Sequence, residues 1–194
     1  METVIETLLK ALELKDEKRT GQEIYNISEP DSVAGHSWNV VFLTMLFGEG
    51  EDVNMKKALK IATVHDLAEA ETGDIAKRAD EDKQDLSDEE KEVEEFEAIT
   101  GLSESLNSHE IRMLWKEYED CQTPEARLVN DMDHIEKCLT ALKNEKEENY
   151  DPGENDTGFE NLDEFFETAE KEFKTGFGEE LFNEIKSRYE DERE

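Results

Sequence analysis

Apolar positions recur along most of the chain at intervals of three and four, the spacing of one face of an α-helix. Val4, Ile5, Leu8, Leu9 and Leu12 begin the pattern and predict a helix to about Leu14. A polar run from Lys15 to Gly21 follows, and Ile24 to Pro30 reads as an extended loop, since the residue before proline is pushed out of the helical region. Asp31 or Ser32 can cap a second helix over Val33 to Phe47, whose wide apolar surface predicts a central, mostly buried element. Gly48-Glu49-Gly50 ends it. Asn54 can cap a third helix from Met55 to Glu69.

Ser87 with Glu90 makes a capping box for a helix ending at Thr100-Gly101, and Ser103 to Asp120 repeats the helical spacing. The acidic run from Asp80 to Glu97 reads as a solvated helix face, and His109 as a surface histidine. Thr123-Pro124 starts another helix, to about Lys143, with Leu128, Val129, Met132, Ile135, Leu139 and Leu142 apolar. Tyr150 to Gly158 is the candidate mobile loop. Helices over Leu162 to Lys174 and Glu179 to Tyr189 close the chain, with Phe165, Phe166, Phe173, Phe177 and Phe182 available for packing. No alternating strand pattern of useful length occurs. The fold class is all-α, and 194 residues suit one domain.

Charge narrows the partners. Against 54 acidic residues stand 22 basic ones, for a formal charge of −32. Such a surface repels nucleic-acid phosphates and anionic membranes, so neither is an expected partner. The acidic shell suits a cytoplasm of high salt, where counter-ions screen its self-repulsion. Cys121 and Cys138 lack metal-type spacing and read as two reduced thiols. No stretch approaches the roughly 20 apolar residues that span a bilayer. A soluble, cytoplasmic protein is expected.

Candidate chemistry gathers around Ile61 to Ile75. His65 and Asp66 are adjacent, Glu69 lies one helical turn beyond His65, and Asp74 follows the Thr72-Gly73 stop, where glycine can take positive φ. Charged groups beside an apolar run need a partner, and a divalent ion is one candidate. A solvated helix end rich in Glu is the plain alternative. Elsewhere, His36 and Asp133 also sit in apolar settings on their helices. Nitrogen and oxygen donors without thiolate suit Mn²⁺, Co²⁺, Ni²⁺, Fe²⁺, Zn²⁺ or Mg²⁺.

The order His36, His65-Asp66, Asp133 resembles the HD-domain metal-dependent phosphohydrolases. Arg19-Thr20-Gly21, Ser32-Val33-Ala34-Gly35-His36-Ser37, His65 to Glu69, Thr72 to Ile75, Leu114 to Glu119, and Ala126 to Val129 with Asp133 look like the branch containing the 5′-deoxynucleotidases. The likeness runs from about Leu12 to Lys143, within one HD-domain helical bundle of residues 1–194 whose C-terminal helices, 160–190, pack on the core. It implies metal ligation by His36, His65, Asp66 and Asp133, and catalytic duty for Arg19, Glu69 and Asp74. A second cation at Glu69, Asp74 and the backbone of Ile75 is also implied. So are a nucleoside 5′-monophosphate substrate and a homodimer. Asp131 reads as a helix-surface carboxylate, and His134 needs no role. The chain departs from the pattern in two ways: Thr20 and Gln22 stand at the two places where relatives commonly carry a tryptophan, and Gly35 replaces a frequent acidic residue. The rival readings are an HD phosphohydrolase for another phosphomonoester or signalling nucleotide, and a non-catalytic, metal-stabilised helical interaction protein.

Overall fold

The computed structural model describes residues 1–49, 52–151, 153 and 157–193. Ten α-helices carry them: α1 Glu2–Leu12, α2 Thr20–Ile24, α3 Val33–Phe47, α4 Met55–Val64, α5 Glu69–Thr72, α6 Asp88–Ser105, α7 His109–Asp120, α8 Pro124–Lys146, α9 Asp163–Ala169 and α10 Gly176–Asp191. No strand occurs among the described residues, only an isolated bridge between Lys18 and Ser32. The all-α expectation holds.

The caps are those the sequence offers. Ser32 accepts from the Gly35 amide, Asn54 from Lys57 and Thr123 from Ala126, while Ser87 and Glu90 form the reciprocal box. Each satisfies amides that the first helical turn leaves without a partner.

The central helix is α8, not α3. Leu128, Val129, Met132, Ile135, Cys138 and Ala141 of α8 are buried, and α3, α4, α7, α9 and α10 all pack around it. On α3 only Val33, His36, Val40, Leu43 and Thr44 are buried, whereas Trp38 is 66% exposed and Phe42, Met45 and Leu46 also face outward. The wide apolar surface of α3 therefore marks two faces, one in the core and one open.

Several boundaries differ from the sequence reading: Thr20–Ile24 is helical where a polar run and a loop were expected, and the helix expected from Ser103 starts at His109 because α6 runs on to Ser105. The helix expected over 55–69 breaks at His65, where Leu67, Glu69 and Ala70 amides bond three residues back and tighten the chain. Helix α6 continues through Gly101, held there by buried Ile99 and Leu102; it ends at Ser105 with Leu106 as its C-cap, just before Asn107 takes the left-handed region at φ 51°. Helix α9 is shorter than expected and ends at Ala169. Phe166 and Phe173 pack on Phe182 and Tyr189 of α10. Of the candidate mobile loop, residues 152 and 154–156 lie outside the described residues, as does Gly50.

Asp131 is not a surface carboxylate. It is 0% exposed and accepts hydrogen bonds from the amides of Lys174 and Thr175 (2.8 and 2.9 Å) and from the Thr175 hydroxyl. It anchors the start of α10 to α8. Asp131→Ala is expected to strand these donors and lower the unfolding free energy by about 1–3 kcal/mol, read as a lower urea midpoint. An unchanged midpoint would remove the anchor.

Candidate active site

The break after Val64 decides what His65 and Asp66 can do. Neighbours on a regular helix point about 100° apart; the tightened turn instead lets both approach His36 on α3. Ligand atoms of His36, His65 and Asp66 lie within 4.8 Å of one another, and the two imidazole centroids are 5.6 Å apart. Asp133 of α8 joins them, its Oδ1 2.9 Å from His36 Nε2.

Each histidine has its tautomer fixed from behind. His36 Nδ1 donates to Glu136 at 2.5 Å, and His65 Nδ1 donates to the Ala62 carbonyl at 2.9 Å. Both Nε2 atoms therefore turn a lone pair inward. His36 Nε2, His65 Nε2 and Asp133 Oδ1 are buried and lack a hydrogen-bond partner among the described residues. Electron-rich atoms aimed together in a buried site need a cation between them. Two imidazoles and two carboxylates without thiolate fit a divalent ion. Burial and Arg19 pull the His36 imidazole down, but Glu136 and Asp133 outweigh them and hold it up at about 9.

A second group adjoins the first. Arg19, immediately before α2, places Nη1 2.5 Å from Asp74, 3.4 Å from Asp66 and 3.5 Å from Glu69. Asp74 is held in turn by the Thr20 amide at 2.6 Å, while the Thr20 hydroxyl donates to the Asp74 carbonyl. Gly73, at φ 75°, makes the turn that delivers Asp74 there. The carboxylates are electrostatically distinct. Burial acts to raise the Asp66 pKa, but the imidazoles of His65 and His36 outweigh it and hold the carboxyl well below the usual range. Burial and the neighbouring Asp66 push Glu69 well above that range, against Arg19. Glu69, Asp74 and the Ile75 carbonyl, expected to hold a second cation, already face protein cations: Arg19 for the two carboxylates and Lys91 for the carbonyl, at 3.3 Å.

These residues line one end of a cleft of about 470 Å³ that extends past Gly21, Ala76, Lys77 and Phe165. All seven expected site residues line it or, for His36, lie directly behind it. Residues 11–178 match the HD domain family.

The chain belongs to the HD-domain family.

This HD-domain chain is 34% identical over 173 residues to the 5′-deoxynucleotidase HDDC2 of Danio rerio, covering 89% of this chain and 81% of that one. It is 37% identical over 143 residues to the 5′-deoxynucleotidase hdd1 of Schizosaccharomyces pombe, covering 70% and 69%. A solved structure from Pyrococcus horikoshii OT3 superposes with a TM-score of 0.74 at 30% identity, covering 95% of this chain and 99% of that one.

Sequence reasoning missed the residues that hold the HD-domain set in place. Glu136 orients His36 and is itself held by Asn39 at 3.0 Å. Tyr118 donates to Asp133 Oδ2 at 3.0 Å and packs edge-on against His65; Lys137 reaches the same oxygen at 2.7 Å. Their signal was spacing: Glu136 lies three residues beyond Asp133, and Asn39 three beyond His36, each on the same helix face as that residue. His134, expected to have no role, lines the cleft and packs on Phe173.

Proposed function

We propose that this protein is a metal-dependent 5′-nucleotidase that hydrolyses (deoxy)nucleoside 5′-monophosphates to nucleoside and phosphate. The observation that carries the reading is the convergence of unpartnered imidazole and carboxylate atoms beside Arg19, Glu69 and Asp74 at one end of an open cleft. The 5′-deoxynucleotidase names of its relatives support it. A site held only for stability requires neither the guanidinium nor the extra carboxylates. Residues 1–194 are read as one domain, because Phe165 and Thr168 of α9 line the same cleft as the histidines.

His36, His65, Asp66 and Asp133 would hold the ion. When bound, a divalent ion lowers the pKa of water toward neutrality and stabilises charge on the phosphoryl group. Arg19 clamps phosphate oxygens through its planar N–H fork, offsetting the negative field that surrounds an arriving dianion. Glu69 takes the proton from the attacking water. Asp74, fixed by Arg19 and Thr20, holds the clamp in register. Water adds to phosphorus as the P–O5′ bond breaks, and one proton returns to the 5′-oxygen. A second cation at Glu69, Asp74 and Ile75 would have to compete with Arg19 and Lys91.

The test is phosphate release from all ribo- and deoxyribonucleoside monophosphates after metal stripping and readdition of Mn²⁺, Co²⁺ or Mg²⁺. Turnover restored by metal on several of them is expected. Release from none, with other phosphomonoesters cleaved, would contradict the nucleotidase reading.

The assembly belongs to the same proposal. Ile5, Leu8, Leu9 and Leu12 form an exposed stripe on α1, and Trp38 stacks on Phe42 on the open face of α3. Exposed apolar faces of this kind support a homodimer. Light scattering is expected to return twice the chain mass, and Trp38→Glu with Phe42→Glu to return the monomer; a monomeric parent would contradict it. The two free thiols support a reducing, cytoplasmic setting. The formal charge of −32 supports neither nucleic acid nor anionic membrane as a partner.

A further inference from the structure

We infer that the far end of the cleft, at Gly21, Ala76 and Phe165, is a seat for the substrate's nucleobase, with the base lying on the Phe165 ring. The inference rests on the nucleotidase reading and adds a subsite to it. Two segments run side by side from the charged end of the cleft to this one. Arg19 leads to Gly21, and Asp74 leads to Ala76, each in two residues. Two residues of chain reach at most about 7 Å, the scale of the sugar that separates a phosphate from its base. A nucleotide held by Arg19 therefore brings its base to the glycine, the alanine and the ring.

The surroundings favour a flat, neutral group. Gly21, Ala76 and Phe165 all line the cleft, and a Cβ built on Gly21 would already touch the Phe165 ring at 3.8 Å and Ala76 at 4.0 Å, so any larger side chain there would close on the ring. A small recess of about 40 Å³ continues past these three residues toward Tyr25. Tyr25 packs against Phe165 with centroids 5.6 Å apart and braces it. The charges at this end are paired among themselves: Lys77 with Glu172 at 2.8 Å, and Arg78 with Glu164 at 3.0 Å. The Thr168 hydroxyl is taken by the Glu164 and Phe165 carbonyls. Among the described residues, Lys77 and Arg78 each already hold a carboxylate, so a second phosphate would have to compete for these cations. A base stacked on an aromatic ring needs none.

The experiment compares the parent with Phe165→Ala, Gly21→Leu and Phe165→Tyr. Kinetics on 2′-deoxyadenosine 5′-monophosphate and on 2-deoxyribose 5-phosphate are paired with calorimetric binding of 2′-deoxyadenosine. Phe165→Ala and Gly21→Leu are expected to lower kcat/KM for the nucleotide about tenfold, through KM. They should leave the sugar phosphate unchanged and weaken deoxyadenosine binding in step. Phe165→Tyr should match the parent. Gly21→Leu fills the seat without removing packing, so the test survives if Phe165→Ala folds poorly. Nucleotide turnover with the parent's substrate ratio in both variants would overturn the seat and spare the nucleotidase reading. Deoxyadenosine binding that depends on Phe165, in a parent that cleaves no nucleotide, would spare the seat and overturn the hydrolysis.

Discussion

Glu69→Gln is expected to reduce turnover by about 10² to 10⁴, the usual contribution of a positioned proton acceptor, while the fold stays intact. The substitution keeps the shape of the side chain and removes only its capacity to take a proton. Stability should barely respond, because Glu69 is one of three carboxylates crowded around a single guanidinium. Losing one relieves repulsion between Glu69, Asp66 and Asp74, while Arg19 retains Asp74 at 2.5 Å. The melting temperature should move by no more than about 4 °C, near 1 kcal/mol for a chain of this size. Wild-type turnover in the folded variant would remove Glu69 from the chemistry.

Arg19→Met is expected to damage both activity and stability, and Arg19→Lys to separate them. With Met, three buried or half-buried carboxylates lose their shared cation, a loss of about 3 to 5 kcal/mol and a fall in melting temperature of roughly 10 °C. Turnover should fall by about 10² to 10³, the scale for removing a donor aimed at transition-state charge. Lysine restores the charge but not the planar fork that meets two phosphate oxygens at once. Melting should therefore recover while turnover stays low. If Arg19→Lys recovers both, the guanidinium acts as a counter-charge and not as a clamp.

What the sequence disclosed and what it concealed have the same cause. Periodicity and capping residues report on local chain, so the helices that carry His36 and Asp133 and the caps at Ser32, Asn54, Ser87 and Thr123 were readable. The break at His65 was not, because no glycine or proline lies between Met55 and Thr72 to announce it. Only the tertiary demand for His65 and Asp66 at one point explains it. Asp131 and Asp133 lie two apart on the same helix, and nothing local marks the first as buried. Its partners, Lys174 and Thr175, are more than 40 residues away. The exposed face of α3 misled in the opposite sense, since apolar composition does not say which face of a helix the core takes, and Trp38, Phe42, Met45 and Leu46 stay outside it. The task of Thr20, holding Asp74 through its amide and its hydroxyl, likewise depends on a partner more than 50 residues away.

The central claim is that His36, His65, Asp66 and Asp133 serve one ion. Equilibrium dialysis of the metal-stripped protein against Mn²⁺, with the parent and His65→Ala side by side and helicity followed by circular dichroism, tests it most directly. One tightly held ion per parent chain and none in a folded His65→Ala chain is the result expected. Full occupancy in His65→Ala, or a parent that binds no ion, would contradict it.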